Sequence, residues 1–197
     1  MFTFDHIVLA CSELSSACRE LETCIGLPLT QEGKHTHFRT HNHLLSLGES
    51  CYLELIAIDP TVANPDHPRW FALDSFSGPM RPTHWAVRCD DLDAAMTHLP
   101  KGDWQRQLLR RDIYKWDIAL GADGHQPLDE TAPVAIQWKS PRPAEHLPDH
   151  GARLVSLTLS HPTPDALPKV STPEVSYVEG APGISFTIRA ANGDITF

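Results

Sequence analysis

Apolar and polar residues alternate along this chain in two rhythms, one with a period near two and one near 3.6, and the succession of rhythms occurs twice. Residues 2–10 form an apolar run rich in β-branched side chains, the pattern of a strand. Leu14, Cys18, Leu21 and Ile25 then recur at helical spacing, predicting a helix over residues 12–24 that Gly26 and Pro28 end. A polar, histidine-crowded stretch at 33–43 leads into two strands, 44–47 and 52–58, joined by a turn at Gly48. Residues 1–60 thus read as one β-α-β-β-β module.

The pattern restarts at Thr83. A strand at 84–88, a helix at 90–98 and strands at 105–110, 114–120 and 133–138 make residues 83–140 a second such module. The two starts match residue by residue: His6 to Leu14 and His84 to Leu92 share the order His, three apolar residues, a variable residue, Cys, a capping Ser or Asp, an acid and Leu. Between the modules, residues 61–82 read as a linker. The stretch 59–82 holds five of the chain's seventeen prolines and the pair Trp70-Phe71, which suits turns and a short helix. Strands at 154–160, 175–178, 184–188 and 195–197, with at most a short helix at 164–167, make residues 150–197 a reduced third module with no histidine at its start. Asp123-Gly124 and Asn192-Gly193 read as hairpin turns.

Composition narrows the function. The 197 residues are 41% hydrophobic, enough for a sizeable core, and the formal charge of −9 leaves no basic patch for nucleic acid. The start of the chain lacks a basic segment followed by a long apolar one, and no apolar run approaches membrane-spanning length, so a cytoplasmic protein without membrane contact is expected. Five cysteines without a CxxC pair read as free buried thiols. Glycine-rich phosphate loops and the GxSxG and HExxH elements are absent, so nucleotide cofactors and hydrolase triads have no support. A small-molecule substrate remains as the expected partner.

The candidate chemistry comes from overlaying the modules. Glu54 lies between Leu53 and Leu55, and Gln137 between Ile136 and Trp138, both in fourth strands. Alternation turns the central polar residue away from its neighbours, so both are expected on the concave face of the sheet with His6 and His84. Two imidazoles, a carboxylate and an amide oxygen suit a divalent Zn, Ni, Co, Mn or Fe ion with positions left open. The alternatives stay open: Glu54 facing a cation or solvent, the histidines satisfied by backbone, Gln137 hydrogen-bonded within the sheet. Among His35, His37, His41 and His43, the expectation is an exposed loop at the cleft mouth with His35 touching substrate. Asn42 and Trp85 are further cleft candidates. Arg81, Arg106, Arg110 and Arg111 read as a solvated face, or one of them as a clamp for a substrate carboxylate. Trp116 and Trp138 read as core or cleft wall.

The repeat, with Asp5-His6-Ile7-Val8-Leu9-Ala10, Asn42, Leu47-Gly48 and Tyr52-Leu53-Glu54-Leu55-Ile56-Ala57, resembles the vicinal oxygen chelate superfamily, most closely its glyoxalase-like branch. The resemblance implies an α+β fold of paired βαβββ modules and a metal held by His6, Glu54, His84 and Gln137. It further implies lyase or isomerase chemistry with Glu54 moving a proton. An extradiol-type dioxygenase built on His6, His84 and Glu54, or a metal-free binding or resistance protein, are the other functions it implies. A homodimer is compatible with it, although one chain already carries both halves.

Overall fold

In the computed structural model, which describes residues 1–197, the apolar runs become strands, and those at 3–10 and 52–58 are buried on both faces. The first module consists of β1 (Thr3–Ala10), α1 (Leu14–Ile25), β2 (Gly33–His35), β3 (Thr40–Ser46) and β4 (Tyr52–Ile58). The second consists of β5 (Arg81–Arg88), α2 (Leu92–Met96), β6 (Trp104–Arg111), β7 (Tyr114–Gly121) and β8 (Val134–Trp138). Together they form one eight-stranded sheet of order β2-β3-β4-β1-β5-β8-β7-β6, curled so that the edge strands β2 and β6 approach each other. The first strand of each module runs parallel to its fourth, and β1 pairs antiparallel with β5 through His6↔Ala86, Ile7↔Trp85 and Val8↔His84. A pseudo-twofold axis therefore passes between Ile7 and Trp85 and carries His6 onto His84.

Alternation sorts the side chains. Ile7, Leu9, Leu53, Leu55, Trp85 and Val87 face the helices and pack with Leu14, Leu21, Ile25 and Leu92. Val8, Ala10, Ile56, Ala86, Val134 and Ile136 face the concave side. The segment between the modules does more than link them. Its Trp70, Phe71 and Leu73 are buried against that concave side. It contains turns and no helix: Phe71 and Ala72 have φ of 57° and 50°, which an α-helix does not accommodate. The Arg69 backbone N–H and guanidinium both donate to Asp74, which closes the turn.

Helix starts match the repeat, one position later than Ser12 suggests. Glu13 caps α1 by accepting from the Ser15 and Ser16 amides; the Ser16 and Ser15 hydroxyls, then those amides, pull its carboxyl down to about 2, and Asp91 caps α2 in the same place. The C-terminal strands β9 (Arg153–His161), β10 (Val175–Glu179), β11 (Gly183–Ala190) and β12 (Gly193–Thr196) form a separate sheet of order β10-β9-β11-β12. Here the first strand pairs parallel with the second, not the fourth, and only a 3-10 turn at Pro164–Ala166 stands where a helix would be. Leu157, Leu159, Phe186 and Ile188 cover the helix side of the main sheet, so this part lies away from the concave face. Asn192, in the β11–β12 turn, donates to the Thr23 and Cys24 carbonyls at the end of α1. All five cysteines are free, but only Cys11, Cys51 and Cys89 are buried, and Cys24 is exposed.

Candidate active site

A narrow cavity of about 30 Å³ opens on the concave face, its floor laid by β1 and β4 and its walls by β3, β7, β8 and Trp70-Phe71. Its polar side begins at β1. Neighbouring strand residues normally point to opposite faces, but the register shifts between Phe4 and His6, and this irregularity lets Asp5 reach His6. Asp5 Oδ1 lies 2.8 Å from His6 Nδ1 and Asp5 Oδ2 accepts from Trp138 Nε1 at 3.0 Å. The carboxylate holds the Nδ1–H form of the ring, so Nε2 turns inward, 3.6 Å from Glu54 Oε2. The His6 ring stacks on Tyr52 with centroids 4.5 Å apart.

Glu54 is 5% exposed, a carboxylate inside an apolar strand. Asn42, on the adjacent strand and diagonal to it, donates Nδ2 to Glu54 Oε1 at 2.5 Å. The other end of the same amide accepts from Arg111 Nη1 at 2.8 Å. The orientation of Asn42 is set by Arg111, because a guanidinium only donates and must therefore meet the amide oxygen. Arg111 Nη1 also lies 3.5 Å from His35 Nε2, and its Cζ stands 5.6 Å over the Tyr114 ring. A polar row therefore crosses the cavity from Asp5 through His6, Glu54 and Asn42 to Arg111. Burial, then the Arg111 charge, push His35 well below its ordinary value, so it is neutral; burial pushes the Tyr52 phenol well up, so it keeps its proton.

The sequence-predicted residues separate. His6, Glu54, His35 and Asn42 line the cavity; His84, Gln137 and Trp85 do not. Trp85 points into the helix-side core and donates Nε1 to the Thr131 carbonyl. Gln137 also faces the helices, bonding the Asp90 carbonyl and accepting from the Leu92 amide at the start of α2. The reason is register. Val8 pairs with Glu54 and its mate Ala86 with Val134, so the counterpart of Glu54 is Val134, and Gln137 lies three residues away on the opposite face. His84 bonds Glu130 at 3.0 Å, and Glu130 also contacts His125 Nδ1 at 2.5 Å. Burial holds the His84 imidazole below its ordinary value despite that carboxylate. Phe71 forms the wall between His84 and the cavity, its ring 5.2 Å from the imidazole.

Of the four histidines at 35–43, His41 and His43 point out of the cavity toward Glu32 and Thr30, and His37 stacks on His67. They do not share a face. Tyr52 and Tyr114 line the cavity and are missed by sequence reasoning, as is Asp5 behind His6, while Arg111, read as a solvated charge or one of four candidate clamps, lines it too. The period-two spacing of Tyr114 with Trp116 is the one sequence signal that points to this wall.

The four-residue metal set does not fit. Gln137 is on the wrong face, His84 is turned to Glu130, and the remaining nearby nitrogen, on His35, lies against a guanidinium that repels a cation. No group of three or more His, Cys, Asp or Glu side chains is arranged to hold a metal ion. The same separation removes the His6, His84, Glu54 triad on which the dioxygenase reading depends.

A family model described as a glyoxalase-like domain matches residues 4–172. No curated protein sequence matches the chain. A hypothetical protein from Staphylococcus aureus superposes with a TM-score of 0.57 at 14% identity, covering 100% of this chain and 84% of that one. Methylmalonyl-CoA epimerase from Streptomyces coelicolor, in complex with 2-nitronate-propionyl-CoA, superposes at 0.47 and 14% identity, covering 71% of this chain and 99% of that one. The Mycobacterium tuberculosis methylmalonyl-CoA epimerase gives 0.44 and 16%, covering 69% and 86%. No helix of the chain is long and apolar enough to cross a membrane. With the family match running through both modules, the chain belongs to the glyoxalase-like domain family.

Proposed function

We propose that the chain is a lyase or isomerase that moves a proton on a small oxygenated substrate, with Glu54 as the base. The observation that carries this is the placement of Glu54: a nearly buried carboxylate whose one oxygen is held by Asn42 while the other faces the cavity beside His6. A carboxylate so fixed loses no orientation when it meets a C–H bond, and positioned proton transfer contributes about 10²- to 10⁴-fold. His6, oriented by Asp5, is the second proton carrier, able to give or take one at Nε2. The aromatic walls exclude water from the carbanion-like charge that forms. No step is assigned to a metal, because the residues do not converge on one.

The test is proton exchange. Purified protein in deuterium oxide is incubated with a panel of small 2-oxo acids, hydroxy ketones and thioesters, and loss of the proton beside the carbonyl is monitored by NMR. Wild type should exchange at least one member, and Glu54→Gln should slow that exchange at least about 100-fold. Equal rates in the two proteins would end the proposal. The aromatic walls also favour a second reading, binding without turnover. Saturable quenching of tryptophan fluorescence by compounds that never exchange would select it.

A further inference from the structure

We propose that Arg111 anchors a carboxylate of the ligand, so that the cavity selects small organic acids with an apolar or aromatic body. The proposal deepens the proton-transfer reading by naming its substrate class, and depends on that reading only for the chemistry after binding. Arg111 ends β6 and its side chain is 10% exposed, tucked between β2, β3 and the Tyr114 ring. A guanidinium taken out of water needs compensating charge. The protein offers little: its hydrogen bonds run through Nη1, to the neutral Asn42 amide and at 3.5 Å to the His35 ring, while Nε finds no acceptor. The nearest carboxylate, Asp112, stands 3.7 Å from Nε, too far for a hydrogen bond, and is 73% exposed to screening water. Glu54 reaches Arg111 only through Asn42.

A fixed, planar, under-used fork suits a planar anion with two oxygens. The surroundings choose the carboxylate over a phosphate. Lys34 and Arg110 line only the outer groove, and Lys34 is engaged by Asp59 at 3.0 Å, so one guanidinium faces the ligand across from the Glu54 carboxylate. That balance accommodates a single negative charge. The apolar body then lies against Trp70, Trp116 and Trp138. Because one amide joins Arg111 to Glu54, the carbon that loses its proton is close to the anchored carboxylate.

Binding tests this without turnover. Phenylacetate, 3-phenylpropionate and 4-phenylbutyrate, each with its primary amide, are titrated against the full chain by tryptophan fluorescence and calorimetry. In wild type the best acid should bind about 10- to 100-fold more tightly than its amide. Arg111→Gln should bring the ratio to about one, and Arg111→Lys, which keeps charge but not the fork, should fall between and serves if the first variant does not fold. Glu54→Gln should keep or raise the preference for the acid. Discrimination without any proton exchange would leave this proposal standing and remove only the proton-transfer reading. Equal binding of acid and amide, no binding by any acid, or a preference that survives Arg111→Gln would overturn it.

Discussion

Acidification should weaken this fold through one histidine in particular. His35 is 6% exposed, and burial, then the Arg111 guanidinium and the neighbouring imidazoles, hold it well below the ordinary value of 6.5. The native chain therefore keeps it neutral where the unfolded chain takes up a proton. Below the unfolded value the unfolded state binds more protons, so stability is present above that pH and is lost as pH falls toward the native value. From about pH 7.5 to 5.5 one such group removes about 1.4 kcal/mol. For a chain of this size that is about 3–5 °C in melting temperature. The assay compares thermal unfolding of wild type and His35→Asn at the two pH values. His84, also pushed down by burial, lowers stability in the same direction in both proteins, so the difference between them isolates His35. If wild type and His35→Asn lost the same amount on acidification, the buried neutral imidazole would not exist as described.

Two more perturbations probe the same site. A methyl group at Gly33 would lie 2.7 Å from Asn42 Oδ1 and 3.0 Å from Arg111 Nη1, so Gly33→Ala should break the bridge between Glu54 and Arg111, lowering both proton exchange and acid binding about 10-fold or more while melting shifts by only a few degrees. Dialysis against a chelator should leave proton exchange within about twofold of the untreated protein, read by the same NMR assay; a loss restored by added divalent metal would bring the four-ligand reading back.

Much of the architecture is legible in the sequence because it depends on periodicity. The matching starts at His6 and His84 are local signals and survive in the fold, although the caps fall on Glu13 and Asp91, one residue beyond the expected Ser12 and Asp90. The site is less legible because it depends on register. Leu-Glu-Leu and Ile-Gln-Trp look alike on paper, yet a shift of three residues places Gln137 on the far side of the sheet. Asp5 is hidden by the rule of alternation that the β1 irregularity suspends. Arg111 reads as a solvated charge or as one of four candidate clamps, and only the approach of the two sheet edges singles it out and encloses it. The stretch 59–82 reads as a linker from its prolines, and its burial depends on the concave face it fills.

Pairing the modules strand by strand explains why half of the expected site is missing. The counterparts of His35, Asn42 and Glu54 are Leu109, Ile118 and Val134, all buried and apolar. The first module holds the polar row as far as Asn42, and the second supplies the hydrocarbon wall with Arg111 at its edge, a division that suits a ligand with one charged end. His84 is what this division leaves behind. With no acid at the Glu54 counterpart, a buried imidazole needs another acceptor or it bears the full cost of lost hydration. Glu130 supplies it from a turn in which Leu128, Asp129 and Glu130 all have positive φ, between 53° and 69°, a conformation that side-chain-bearing residues adopt only when surrounding contacts impose it. The Gln126 amide, the His125 ring and His84 itself are those contacts. The diversion of His84 and the presence of Val134 where the first module has Glu54 therefore go together, and they leave the proposed proton chemistry to the first module.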